Sequence, residues 1–275
     1  MINLPRLTDV AIEAAKKAGE IIRHYIDGDI EIVEKKGGES YASQVVTEVD
    51  LKCEKIILAQ LLPLCDQYDI ALLSEESDDD GGRFDKDYFW CIDPLDGTLP
   101  FVQGRHGFSV SIALVARDGT PHIGVVYDPV SDTLYHATKG NGAYRNENPW
   151  QISYNSRSLT YVTDRALADT PHQVEIEQWL SQKASQLDLE GIKVLSGSGA
   201  VMNAILVLEN GPACMLKYPK HQNGGGSIWD YAATACIYHE LQLPATNFEG
   251  GRLDLNKEEG TFMNHEGVFY SNFPD

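Results

Sequence analysis

Two carboxylates three residues apart, Asp93 and Asp96, stand in the run Trp90-Cys91-Ile92-Asp93-Pro94-Leu95-Asp96-Gly97-Thr98. Hard divalent cations take oxygen ligands held close together, and two acids with the Leu95 carbonyl between them can supply such a set. The apolar stretch from Tyr88 to Ile92 predicts a short buried strand that delivers these groups at its end. Pro94 fixes its own φ and holds Asp93 extended, while Gly97 permits a tight turn. Asp-Pro and Asp-Gly also mark ordinary solvated turns, so on this stretch alone both readings stand.

Other acids recur in comparable settings. Ser74-Glu75-Glu76-Ser77 follows the apolar segment Ile70 to Leu73, and Ser227-Ile228-Trp229-Asp230-Tyr231 opens a helical pattern far downstream. Ser227-x-x-Asp230 and Thr47-x-x-Asp50 both have the form of a capping box that starts a helix. Capping and metal ligation are compatible, because a carboxylate in a helix's first turn can also face a cleft. Glu76 is equally readable as an exposed salt-bridging residue. Thr98 sits where a helix is expected to start, so the backbone N–H groups there can receive a phosphate. Ser196-Gly197-Ser198-Gly199 opens another helix, as a phosphate cradle or as a plain strand-to-helix turn. Asp78-Asp79-Asp80-Gly81-Gly82 lacks the alternating acids and terminal glutamate of a calcium loop and reads as an exposed connection.

The acid pair after a strand, the Asp-Pro-Leu-Asp-Gly-Thr turn and the Trp-Asp helix start, in that order, resemble the inositol monophosphatase family. That family comprises magnesium-dependent, lithium-sensitive phosphomonoesterases and includes 3'(2'),5'-bisphosphate nucleotidases and fructose-1,6-bisphosphatases. The likeness runs over nearly the whole chain and is weakest around residues 145–190. It implies a layered αβαβα sandwich, an α+β half (1–150) on an α/β half (151–275), with the site between them. It further implies two or three Mg2+ ions. Glu75, Asp93 and the Leu95 carbonyl would hold the first, and Asp93, Asp96 and Asp230 the second. The Thr98 hydroxyl would pair with Asp50 to orient the attacking water, making Asp50, Thr98 and Glu75 the catalytic set. Gly97, Thr98, Ser196, Gly197, Ser198, Lys217 and Asp230 would meet a small phosphorylated substrate, and a homodimer is a further expectation. A phosphate monoester resists attack because it is anionic; cations neutralise it and lower the pKa of bound water, so no side-chain nucleophile is needed.

Within the family, Ser196-Gly197-Ser198 and the segment Gly107-Phe108-Ser109-Val110-Ser111 look more like the bisphosphate nucleotidases, which implies 3'-phosphoadenosine 5'-phosphate as substrate. Lys217 falls where those enzymes place a basic group on a second phosphate; its alternative is a solvated lysine at a strand end. Inositol-1-phosphate or sugar-bisphosphate hydrolysis is the neighbouring expectation, and a non-catalytic phosphate-binding protein the rival from another class. Leu99-Pro100 departs from the residues that usually follow Asp-Gly-Thr in the family. His221-Gln222-Asn223-Gly224-Gly225-Gly226 is an unusual insert, readable as a lid or as a connector.

The remaining residues must position these groups. Leu7, Val10, Ala11, Ala14, Ala18, Ile21, Ile22 and Tyr25 predict a first helix ending near Gly28. Residues 30–46, with Lys35-Lys36-Gly37-Gly38, read as a hairpin or mobile loop. A second helix begins at Thr47, its predicted N-cap, and Pro63 is expected to end or kink it. An antiparallel meander follows over Phe108–Ala137. From Ser158 strand and helix alternate, which implies an α/β layer. The formal net charge of −19 argues against a nucleic-acid or anionic-membrane surface. Five scattered cysteines read as free thiols in a reducing compartment. With no signal-peptide pattern at Met1-Ile2-Asn3 and no apolar run of spanning length, the cytoplasm is the expected location and no membrane insertion is expected.

Overall fold

Alanine and larger aliphatic residues at helical spacing give the first helix, α1 (Leu4–Tyr25), one continuous apolar face: Leu7, Ala11, Ala14, Ala18 and Ile22 are all fully buried. The computed structural model describes residues 2–26, 32–34, 45–154 and 156–273, with backbone alone at 32–34 and 45–47. Gly28, the Lys35–Gly38 segment and the side chain of Thr47 lie outside the described residues. Two short strands, β1 (Ile32–Glu34) and β2 (Val45–Thr47), pair antiparallel. The second long helix, α2 (Glu48–Tyr68), buries Val49, Cys53, Ile57, Leu61 and Leu64.

Pro63 does not end α2, which runs five residues past it. Pro63 is exposed, and so is Ala59, whose carbonyl loses its helical partner; water can serve that oxygen while Leu61 and Leu64 hold both sides of the proline in the core. Asp69, at φ 55°, then closes the helix with the Ile70 N–H on the Cys65 carbonyl, 3.1 Å.

A seven-stranded sheet follows in nearly sequential order. It comprises β3 (Ala71–Ser74), β4 (Tyr88–Asp96), β5 (Ser109–Ala116), β6 (Pro121–Asp128), β7 (Thr133–Thr138), β8 (Ala143–Arg145) and β9 (Asn148–Pro149). Only the β3–β4 pair is parallel. Alternation along β4 sends Trp90 and Ile92 to the core beneath α1 and α2, and Phe89 and Cys91 to the opposite core. Between β3 and β4 lies a short helix, α3 (Gly82–Asp85). Here Asp79 and Asp80 accept the Gly81 and Gly82 N–H groups, and Asp79 pairs with the buried Arg83 at 2.8 Å. These acids are therefore turn formers.

A second sheet has the order β11-β10-β12-β14-β13, from β10 (Ser158–Thr163), β11 (Gly191–Ser196), β12 (Ala213–Lys217), β13 (Ala245–Thr246) and β14 (Val268–Ser271). Three parallel strands are completed by two that run antiparallel to them or to each other. After β4 comes the five-residue helix α4 (Thr98–Val102), and α5 (Gln173–Gln186) covers the outer face of the second sheet. Between the sheets lie α6 (Ala200–Glu209) and α7 (Ile228–Glu240). The layers thus run helices, sheet, helices, sheet, helix, the expected αβαβα order. Gly124 of β6 sets the closeness of α7, since a Cβ there would collide with the Ala233 carbonyl oxygen and stand 2.9 Å from the Cys236 Cβ. No helix is long and apolar enough to cross a membrane among the described residues.

Candidate metal centre

Residues three apart on a regular strand point to opposite faces, so Asp93 and Asp96 should diverge. They do not, because the register slips between them: Asp93 pairs with Ser111 and Asp96 with Ser109. That bulge, at Pro94-Leu95, turns both carboxylates towards the layer of α6 and α7 while the Leu95 side chain stays in the outer core. The strand therefore continues to Asp96, four residues beyond the end expected at Ile92. Gly97, at φ 86°, makes the turn into α4; a Cβ there would meet the Gly107 carbonyl at 2.7 Å.

Asp230 reaches the same point from the other half of the chain. It is the third residue of α7 and forms a capping box with Ser227, accepting the Ser227 N–H through Oδ2. Its capping and its approach to Asp93 and Asp96 coexist: ligand atoms of the three acids lie within 4.8 Å of one another. Glu75 arrives by register. Ser74 pairs with Ile92 in the parallel β3–β4 ladder, so Glu75 emerges beside Asp93, with its N–H on the Ile92 carbonyl at 3.1 Å. Asp50 lies buried in the first turn of α2.

The electrostatics show these acids acting on one spot. Burial first, and then the charges of Glu75, Asp96, Asp230 and Asp50, hold the Asp93 carboxyl well above the ordinary carboxylate range. Asp96 is raised by burial and by Asp230, against the pull of the Val201 and Ala200 N–H groups and Lys217. Asp230 is raised by burial, opposed by the Ser227 N–H and Lys217. Buried carboxylates without a cation among them repel one another, and hard, closely spaced oxygens are the donor set a small divalent cation fits. The residues present therefore suit such an ion.

Proton linkage gives this fit a measurable consequence. In the metal-free protein a raised folded-state pKa means the native state holds more protons than the unfolded chain, so stability falls as pH rises above the unfolded carboxylate pKa of about 4. The melting temperature in EDTA should decline as pH rises above about 4, and the increment from added Mg2+ should grow in the same direction. A Mg2+ increment independent of pH would show that the cluster does not bind the ion.

The surrounding residues are placed as follows. The Leu95 carbonyl accepts the Thr98 hydroxyl at 3.3 Å, and the Leu95 N–H donates to Asp93 Oδ1 at 3.0 Å. Ser196-Gly197-Ser198-Gly199 does open α6, but the first two helical amides are taken. Ala200 N and Val201 N donate to the two Asp96 oxygens, each at 3.0 Å, so the acid rather than a phosphate caps this helix. Each oxygen keeps lone-pair capacity for a cation. A Cβ on Gly199 would strike the Asp96 carboxylate, and Gly199 N donates to the Gly107 carbonyl at 2.7 Å, so the two loops are zipped together.

Lys217 is neither a solvated lysine nor a free cation. Its ammonium is 2.9 Å from Asp164 Oδ2, donates to the Gly225 carbonyl at 2.9 Å and lies 5.6 Å from the Tyr231 ring centroid. Burial would lower its pKa, but Asp164 and Tyr231 hold it above the usual lysine value. Asp164, Asn203 and Arg105 escaped the sequence reading. The Arg105 guanidinium lies where a Cβ on Gly197 would be 2.9 Å away, and it carries charge to the rim of the Ser196–Gly199 turn. No local pattern marks any of the three, since each acts through a partner distant in sequence. The five cysteines are free, and burial pushes the thiols up, Cys65 to about 11, which removes them as nucleophiles.

Residues 3–272 match the profile of the inositol monophosphatase family. Inositol monophosphatase 2 of Solanum lycopersicum is 38% identical over 254 residues, covering 92% of this chain and 91% of that one. Inositol-1-monophosphatase of Bacillus subtilis is 27% identical over 272 residues, 99% and 94% of the two chains. In fold, the Thermotoga maritima IMPase superposes with a TM-score of 0.72 at 23% identity, covering 98% of this chain and 92% of that one.

Proposed function

Because the chain belongs to the inositol monophosphatase family, it is a phosphomonoesterase, and we propose that its substrate is a polyol monophosphate of the inositol 1-phosphate kind. The observation that carries this choice is the engagement of Lys217 with Asp164, which withdraws the basic anchor on which a bisphosphate nucleotidase assignment rests. The relatives compared above are also named as inositol monophosphatases across more than nine-tenths of this chain, which favours that branch over the nucleotidases suggested by Ser196-Gly197-Ser198.

The family's enzymes use divalent metals, and Asp93, Asp96 and Asp230 supply a fitting donor set. In this reading Glu75, Asp93 and the Leu95 carbonyl hold one Mg2+, and Asp93, Asp96 and Asp230 a second. The cations would neutralise the ester's charge and ease attack of water at phosphorus. Asp96, fixed by two backbone N–H groups, and Asp230, fixed by its capping box, enter the reaction without having to be ordered first. Asp50 accepts the proton side of the attacking water and, with the Thr98 hydroxyl, orients it in line with the leaving oxygen. Gly97, Ser196, Gly197 and Ser198 border the place where the substrate enters. A second anionic group on a substrate would meet Arg105 rather than Lys217.

Phosphate release should be measured from inositol 1-phosphate, 3'-phosphoadenosine 5'-phosphate and fructose 1,6-bisphosphate in Mg2+, then in EDTA. The expected result is highest kcat/KM on inositol 1-phosphate and no turnover of any substrate after chelation. Preference for the nucleotide by tenfold or more would restore the nucleotidase reading, and turnover in metal-free buffer would remove the mechanism.

A further inference from the structure

The partly buried Lys217 lies at the centre of a hydrogen-bonded chain that the reaction as described above does not use. Ser198 begins it: its carbonyl accepts Asn203 Nδ2 at 3.3 Å. Asn203, fully buried in α6, gives the same nitrogen to Asp164 Oδ1 at 2.8 Å. The other oxygen of Asp164 meets the Lys217 ammonium, which passes on to the Gly225 carbonyl. The Tyr231 hydroxyl donates to the same carbonyl at 3.1 Å, and Tyr231 is the residue after Asp230. At one end is the turn that borders the substrate, at the other the acid that caps α7.

Three features indicate a geometric task. Gly224, Gly225 and Gly226 lie at φ 110°, 85° and 119°, backbone that only glycine adopts three times running, and they lead straight into Ser227. A Cβ on Gly226 would collide with the Tyr231 ring. The Gly226 carbonyl is held as well, by the Met263 N–H at 3.0 Å. The end of the glycine-rich insert, Gly225-Gly226, is therefore tied to β12, α7 and Met263. The Lys217–Asp164 pair, its side chains 19% and 39% exposed, is partly open to water and adds little stability by itself, which leaves holding geometry as its role.

We propose that Asp164 and Lys217 are positioning residues that fix Asp230 and the Ser196–Gly199 turn at a set separation, so that the second cation and the substrate share one frame. The inference rests on the phosphatase reading for the meaning of that frame, although the separation itself is a property of the fold. The chain joins β10, β12, α6 and α7, four elements whose packing alone tolerates small shifts; the hydrogen bonds select one arrangement.

The test is the double variant Asp164→Asn/Lys217→Met, which leaves net charge unchanged while cutting the chain; the loss of the Lys217 cation would by itself favour Mg2+ at Asp96 and Asp230, opposite to the expected result. Melting temperature, Mg2+ affinity by calorimetry, and kcat and KM on inositol 1-phosphate are measured. The expected result is about tenfold weaker Mg2+ binding and about tenfold lower kcat, with the melting temperature within a few degrees of wild type. Because the double variant can fail to fold, Tyr231→Phe is measured beside it: removing one hydroxyl should weaken Mg2+ binding and kcat about threefold. Unchanged Mg2+ affinity and kcat in a folded variant, whatever the melting temperature, would overturn the proposal. A wild-type protein that binds Mg2+ but hydrolyses no phosphomonoester would instead overturn the functional reading, and the calorimetry would still decide this one.

Discussion

Asp93→Asn is expected to lower kcat/KM on inositol 1-phosphate by at least about a thousandfold, while the metal-free variant melts no lower than metal-free wild type. The two halves of this expectation have one cause. Asp93 is the carboxylate on which the charges of Glu75, Asp96, Asp230 and Asp50 all bear. In the proposed arrangement it is shared by both cations, so replacing its charge with an amide weakens two ligand sets at once. A thousandfold loss corresponds to about 4 kcal/mol at about 1.4 kcal/mol per tenfold. Without metal the same substitution removes a buried, repelled charge, and the amide oxygen can still accept the Leu95 N–H. Retention of more than a tenth of the activity would remove Asp93 from the reaction. A large fall in the EDTA melting temperature would show that the carboxylate stabilises the fold by itself.

Asp230→Asn separates the capping of α7 from catalysis. The amide oxygen can still accept the Ser227 N–H, and Asn is nearly as good a local acceptor as Asp, so the helix start survives. The ligand charge does not. Activity should fall at least about a hundredfold with the melting temperature near that of wild type. Normal turnover by this variant would leave Asp230 as a helix-start residue only.

Much of this was legible in the sequence, for physical reasons that also explain what was not. Periodicity shows an element wherever one face is buried, so α1, α2 and the alternating strands and helices after Ser158 could be read locally, and with them an α/β layer; the full αβαβα order was implied only by the family resemblance. Pro94, Gly97 and the Ser-x-x-Asp pattern betray a turn and a helix start beside the acids, but they fit plain turns and caps as well, and only the resemblance pointed to metal ligation over those readings. The short β13 and β14 were missed; Val268–Ser271 earns its place by pairing with β12, more than fifty residues earlier, rather than by any pattern of its own. The bulge between Asp93 and Asp96 was missed because the register is a property of two strands, not one. Asp96 as the cap of α6 and Asp164 as the partner of Lys217 were hidden likewise: each pair is closed by the fold across a long stretch of chain. That Pro63 does not end α2 was hidden because exposure of the carbonyl it orphans is a tertiary fact.

The close seat of α7 on Gly124 bears on ionic radius. Asp230 hangs from α7, whereas Asp93 and Asp96 belong to the sheet, so the gap among the three acids is fixed by how deeply the helix beds down. A methyl group at position 124 would meet the Ala233 carbonyl and lift the helix, spreading the acids. Mg2+ demands oxygens at about 2.0–2.1 Å in rigid octahedral order, whereas Ca2+ accepts about 2.3–2.6 Å and a looser shell. Gly124→Ala would therefore shift the relative affinity of the protein from Mg2+ towards Ca2+. In the proposed site, discrimination between the two ions would thus depend on a residue with no side chain, set where the sheet meets the helix that carries Asp230.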